Sequence, residues 1–264
     1  MRICDIVDEI EAVAPPETAM EWDNVGLQLG AADERCDGVL VTLEVTPEVA
    51  DEATLVGANL IVSHHPLIFS PLSALRTDRP LGALLRRLLE DNTAVYAAHT
   101  NLDAAPDVGT AAALAEALGL DDFTPLVEAG EVGLGAVGNV DGAPPVNAII
   151  GRVRRALSPE RLTVVGETDR VVNRLALMPG SGGDAVGPAA AADADLLVCG
   201  DLKHHDALDA LALGLTVIDA THYATERPVV GRLAEYLRAR LPHDLRVLAS
   251  DVVTDPFVGA ARGG

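Results

Sequence analysis

Apolar residues recur at helical spacing near the start of the chain. Ile3, Ile6, Val7, Ile10 and Val13 share one face, and Pro15-Pro16 ends the run. A Gly/Asn-rich stretch, EWDNVGLQLG (21–30), then reads as a turn segment, with Trp22 as a core residue. The unbroken apolar run GVLVTLEV (38–45) predicts a buried strand. A helix over 46–57 follows, with Thr46 as its cap and Pro47 in its first position. The alternation continues with a strand over 58–65 ending in two histidines, a helix over 79–92, a strand over 93–99 and a helix over 109–120. Strand–helix alternation of this kind predicts an α/β fold with a largely parallel, buried sheet.

Residues 121–145 break the pattern with glycines, prolines and short apolar stretches, as expected of a junction or hairpin between two halves. Beyond it the pattern resumes: a helix over 146–157, strands over 161–166 and 174–180, and a glycine-rich turn into a short helix over 181–194. Strands over 195–200 and 215–220, a helix over 227–241 and a final strand over 245–253 complete it. The halves resemble each other. ANLIVSHH is echoed by ADLLVCGDLKHH, and TAVYAAHTNLDAA by LTVIDATHYATER. The chain therefore reads as two α/β repeats, residues 1–122 and 123–264.

The 40 acidic residues outnumber 19 basic ones, for a formal net charge of −21, and Lys203 is the sole lysine. Such self-repulsion is tolerated where salt screens it, so the balance suggests a salt-adapted protein, with an ordinary acidic cytosolic protein as the alternative. It disfavours a direct nucleic-acid partner, because no basic stripe exists. Cys4, Cys36 and Cys199 have no CxxC spacing, which argues against a disulfide framework or a thiolate zinc site. No run approaches about 18 apolar residues, and the N-terminus is acidic rather than signal-like. A cytoplasmic protein without a membrane span is expected.

The candidate chemistry lies in histidines at the carboxyl ends of predicted strands, the edge where open α/β sheets bind ligands. Paired His64-His65 can serve two neighbouring metals. His99 with Asp103, and His222 with Glu226, each fall four residues apart and share a face if a helical turn forms there. Imidazole with carboxylate is the donor set of Zn, Mn, Fe or Ni, and a bridging carboxylate would hold two ions at the spacing of two-metal hydrolases. A strand-end pair capping backbone groups is the alternative for His64-His65, a hydrogen-bonded loop pair for His99 with Asp103 and for His222 with Glu226, and a solvated helix face for Lys203-His204-His205. GSGG (180–183) lacks the strand–glycine–helix context of a phosphate loop and reads as a flexible turn.

EWDNVGLQLG, VSHHPLIF, YAAHTNLDAA, GDLKHHDAL and DATHYATERP, in that order, resemble the GTP cyclohydrolase 1 type 2 family, also called Ngg-interacting-factor-three-like proteins. The resemblance spans nearly the whole chain. It implies two intertwined α/β repeats with largely parallel mixed sheets and a dimetal site in the cleft between them. It also implies a ring-shaped homohexamer built from dimers. Carried over by position, it makes His64, His65, Asp103, His222 and Glu226 the ligands of two divalent ions, with Glu226 bridging. His99 matches a further site histidine. Longer members carry an inserted domain near the middle, for which 121–145 leaves no room. The expected activity is metal-dependent hydrolysis of a purine nucleotide or related small molecule, with His99 or His205 relaying protons. A dimetal phosphoesterase, or a non-catalytic metal-carrying or interaction protein, are the alternatives.

Overall fold

A computed structural model describes residues 1–129 and 132–257. Two positions of the predicted junction, and residues 258–264 of the second predicted repeat, lie outside the described residues. The chain runs α1 (Ile3–Glu11), β1 (Gly26–Leu29), β2 (Gly38–Thr42), α2 (Pro47–Val56), β3 (Leu60–Ser63), α3 (Pro80–Glu90) and β4 (Ala94–Ala97). It continues through α4 (Thr100–Asp103), α5 (Thr110–Leu118), β5 (Val127–Ala129), β6 (Val132–Leu134), β7 (Ala136–Asn139) and α6 (Val146–Leu157). Next come β8 (Thr163–Val165), β9 (Arg174–Ser181), α7 (Val186–Ala191), β10 (Leu196–Gly200), α8 (His204–Ala212) and β11 (Thr216–Asp219). Last are α9 (His222–Glu226), α10 (Pro228–Arg240) and β12 (Arg246–Ala249).

These elements form two compact units. Residues 1–108 with 230–254 make the first, and residues 109–229 with the described residues after Thr254 make the second. The first unit's sheet has the order β1-β4-β3-β2-β12, parallel except for β1 at the edge. β2, β3 and β4 are buried along their whole length, as their unbroken apolar runs predict. Leu40, Ile61 and Val95 from the sheet pack with Val49, Ala53, Leu84 and Leu88 from α2 and α3. α2 starts where Thr46 accepts a hydrogen bond from the Val49 amide and stops at Gly57, whose φ of 70° suits glycine.

The second unit repeats the scheme with the order β7-β9-β10-β11-β8. Its central β9, β10 and β11 are parallel, and its edge strands β7 and β8 are antiparallel. Leu175, Leu177, Val198 and Ile218 pack with Leu114, Leu118, Ile149 and Val153 from α5 and α6. α5, which the sequence reading counted with the first repeat, therefore belongs to the second sheet's core. The junction contains the antiparallel pair β5–β6 and the edge strand β7.

Two sequence expectations are corrected. Part of 21–30 is the strand β1, which pairs with β4 through Gly26–Ala97 and Leu27–Tyr96 and carries an irregularity before Leu29. Its residues are all half-buried, so no alternation marks them. Trp22 lies outside the core and is 61% exposed. Among the described residues no helix is long and apolar enough to cross a membrane.

Candidate metal centre

Strand register brings the first unit's histidines together. Ser63 and Ala97 are partners at the ends of β3 and β4, so His64-His65 and His99 leave the sheet side by side. The His64 and His65 amides donate to the carbonyls of Thr42 and Leu43 (3.0 and 2.8 Å), which continue β2. Beyond β4 the chain makes the single turn α4, and the Asp103 amide donates to the His99 carbonyl (2.9 Å). That turn sets Asp103 over the histidines, with Oδ1 3.7 Å from His64 Nε2. The ring centroids of His64, His65 and His99 are 4.9, 5.1 and 5.4 Å apart pairwise, and one donor nitrogen from each lies within 4.8 Å of the others.

Each of these rings is oriented through Nδ1. His64 Nδ1 meets the Ala98 carbonyl at 3.0 Å, His65 Nδ1 meets Glu44 Oε1 at 3.0 Å, and His99 Nδ1 meets Asp23 Oδ1 at 2.9 Å. A carbonyl or carboxylate oxygen can only accept, so Nδ1 carries the proton and the lone pair sits on Nε2. This is the arrangement metal-ligating histidines adopt. The donor set therefore fits a first-row divalent ion.

Asp23 is the most elaborately held of the orienting groups. Its side chain is fully buried and also accepts from the Thr100 amide (3.0 Å) and hydroxyl (2.5 Å). Burial pushes its carboxyl up, but the bonds from Thr100 and His99 outweigh this and hold it below its ordinary value. Burial, and then the neighbouring His64, push the His99 imidazole down, more than Asp23 raises it. A neutral ring at neutral pH is the form that can ligate a metal.

The second unit builds a similar corner. Cys199 and Asp219 are partners near the ends of β10 and β11, and Asp201 and His222 follow just past those ends. His222 Nδ1 meets Asp201 Oδ2 at 2.9 Å, and its Nε2 meets Glu226 Oε1 at 3.1 Å, one turn along α9. Thr221, a β-branched residue at φ 75°, makes the sharp entry into α9. Its amide donates to Asp219 Oδ1, its hydroxyl accepts from the Ala224 amide, and its carbonyl accepts from the Thr225 hydroxyl. Backbone strain held by such contacts is a feature of functional corners.

The GSGG segment is no loose turn. A Cβ on Gly180 would lie 2.3 Å from Glu226 Oε1, and one on Gly182 would lie 2.2 Å from Cys199 Cβ. The Gly180 amide also donates to the Thr225 hydroxyl (2.9 Å). Gly180 thus makes room for the buried Glu226 carboxylate.

Among the sequence-predicted residues, His64, His65, His99 and Asp103 gather in the first unit, and His222 and Glu226 gather in the second. His205 is exposed in the first turn of α8, its ring 5.5 Å from that of His204. His243 is exposed as well. Sequence reasoning missed the orienting carboxylates Asp23, Glu44 and Asp201. Glu44 and Asp201 obey the same strand-end rule that singled out the histidines. Burial pushes the Cys36 thiol up to about 11 and the Cys199 thiol up to about 12, so both stay protonated at neutral pH.

Residues 1–256 match the family described as Duf34/NIF3 (NGG1p interacting factor 3). The chain is 34% identical over 262 residues to a protein of Clostridium perfringens named GTP cyclohydrolase 1 type 2 homolog, covering 97% of this chain and 99% of that one. A protein of the same name from Nostoc is 36% identical over 256 residues, covering 95% and 97%. A solved structure of a Bacillus cereus protein related to NIF3 superposes with a TM-score of 0.92 at 26% identity, covering 98% and 99%.

Proposed function

The chain belongs to the Duf34/NIF3 family, and on that premise we propose that it is a dinuclear divalent-metal hydrolase acting on a purine nucleotide or a related small molecule. The observation that carries this reading is the common orientation of four imidazoles. His64, His65, His99 and His222 each have Nδ1 held by an oxygen acceptor, which turns Nε2 toward the site; for His222 that nitrogen meets Glu226 Oε1 at 3.1 Å. In this reading His64, His65, Asp103, His222 and Glu226 would hold the ions. Zn, Mn, Fe or Ni would suit these donors. Two such ions would polarise the substrate and lower the pKa of a bound water.

The remaining work falls to the chain's own groups. Glu44, Asp23 and Asp201 keep the rings in register, so no reorientation accompanies binding. We assign proton transfer to His99 or His205, two of the three histidines in these motifs outside the five assigned ligands. His99 is backed by Asp23 in the manner of a base and its orienting carboxylate. The curated relatives are named GTP cyclohydrolase 1 type 2 homologs, and we propose hydrolytic opening of the imidazole ring of GTP, with release of formate, as the reaction. Assembly as a homohexamer built from dimers is part of the same proposal, and light scattering on the purified chain tests it.

The decisive experiment loads the full chain with each divalent ion in turn and follows formate and phosphate release from GTP. Formate release that disappears in Glu226→Gln is the expected result. Phosphate release alone would make the protein a dimetal phosphoesterase. Metal binding without turnover of any purine nucleotide would leave a metal-carrying protein.

A further inference from the structure

The chain has one tryptophan, three phenylalanines and three tyrosines in 264 residues. So few rings would ordinarily serve the core, as the fully buried Tyr96 does. Trp22 and Phe69 instead stand 61% and 52% exposed. Both sit beside the histidine cluster. Their ring centroids are 6.0 Å apart with the planes inclined by 47°, and each ring approaches His99 edge-on, at 6.1 Å for Trp22 and 6.5 Å for Phe69.

Neither ring rides on a loose loop. Asn24 Nδ2 and Gln28 Nε2 donate to the Ile68 carbonyl (2.5 and 3.3 Å), and the Ile68 amide donates to Gln28 Oε1 (2.9 Å). The segment before β1 is therefore clamped to the residue preceding Phe69. On the other side of the same segment, Asp23 is bound by Thr100 and His99. The protein holds two large apolar rings in water, in fixed positions, at the edge of its candidate metal centre.

We propose that Trp22 and Phe69 form the stacking surface that receives the planar heteroaromatic ring of the substrate and presents it to the metal centre. The identity of that ring as a purine rests on the function proposed above. Charge favours this division of labour. A chain of net charge −21 repels a polyphosphate, which needs the metal ions as its anchor, whereas a flat neutral base gains from an aromatic face regardless of charge. An aliphatic or purely phosphorylated substrate would have no use for two exposed rings at this position.

Because Trp22 is the sole tryptophan, its fluorescence reports on the surface directly. The full chain is titrated, metal-free and metal-loaded, with GMP and GTP, and with ribose 5-phosphate and inorganic triphosphate as ringless probes. The purine nucleotides quench the emission saturably and the ringless probes do not. Phe69→Ala keeps the fluorophore and weakens GMP between about fivefold and about 150-fold, the range expected for removing one base-stacking ring. By calorimetry Trp22→Ala loses GMP affinity by a similar factor, Trp22→Phe retains most of it, and metal content stays unchanged in all three. Emission that ignores purines, or GMP affinity unaltered in both alanine variants, overturns the proposal. So does emission that shifts with protein concentration instead of nucleotide, which would mean that a second copy of the chain covers the rings. Quenching without formate release sinks the hydrolase reading and leaves the surface standing. Formate release with a KM unchanged by both alanine variants does the reverse.

Discussion

Replacing Asp23 with asparagine tests whether His99, assigned above to proton transfer, also ligates the metal. The wild-type carboxylate only accepts, and four donors converge on it: His99 Nδ1 at 2.9 Å and the Asn24 amide at 2.8 Å on Oδ1, and the Thr100 amide at 3.0 Å and hydroxyl at 2.5 Å on Oδ2. Asparagine keeps one acceptor oxygen and puts an N–H donor where the other oxygen was. Whichever way the amide turns, at least one of the four donors faces another donor at a fully buried side chain. A hydrogen bond to a charged group contributes about 1.5–3 kcal/mol, so metal-free Asp23→Asn should lose roughly that much stability in urea unfolding. Loss of an orienting carboxylate typically lowers metal affinity about 10–100-fold, and calorimetric titration with Mn or Zn should show a change of that size. Asp201→Asn is the matched comparison. Asp201 is 45% exposed and meets His222 Nδ1 at 2.9 Å, so its replacement should weaken metal binding with little effect on stability. If Asp23→Asn binds metal as tightly as the wild type while losing stability, Asp23 is a folding element and the orientation argument is wrong.

Three further outcomes are expected. Gly180→Ala places a methyl group 2.3 Å from Glu226 Oε1 at a residue with φ 70°. The left-handed conformation alone should cost about 1–2 kcal/mol in thermal or urea unfolding, and displacement of Glu226 should weaken metal binding as well; unchanged metal affinity would separate Gly180 from the site. Glu226→Gln should lower occupancy at both metals by elemental analysis while His243→Ala changes nothing, and two ions retained at full affinity would rule out bridging. Melting temperature should rise as KCl goes from dilute buffer to molar concentration, because the Debye length falls from about 10 Å at 0.1 M to about 3 Å at 1 M; a flat or falling curve would remove the salt-adapted reading of the −21 charge.

What was legible in the sequence depended on how rare each signal was. The buried strands β2, β3 and β10 stood out because both of their faces are covered, so the run of apolar residues is unbroken. β1 was hidden because its half-buried residues and irregular pairing are set by β4, a partner about 70 positions further along the chain, through tertiary contacts. The same logic separates the site's histidines from the carboxylates behind them. With seven histidines in the chain, several at strand ends are conspicuous. With 40 acidic residues, Glu44 or Asp201 at a strand end carries almost no information until its distance to an imidazole is known. Trp22 failed for the opposite reason. Core placement is the usual fate of tryptophan, but its neighbours Asp23 and Asn24 use their side chains to bond Thr100 and Ile68, and these bonds tie down the segment from which the ring stands out into water. The exception to the packing rule occurs beside the histidine cluster. A local choice that contradicts the general preference, yet is held by specific hydrogen bonds, is what a site under functional demand produces.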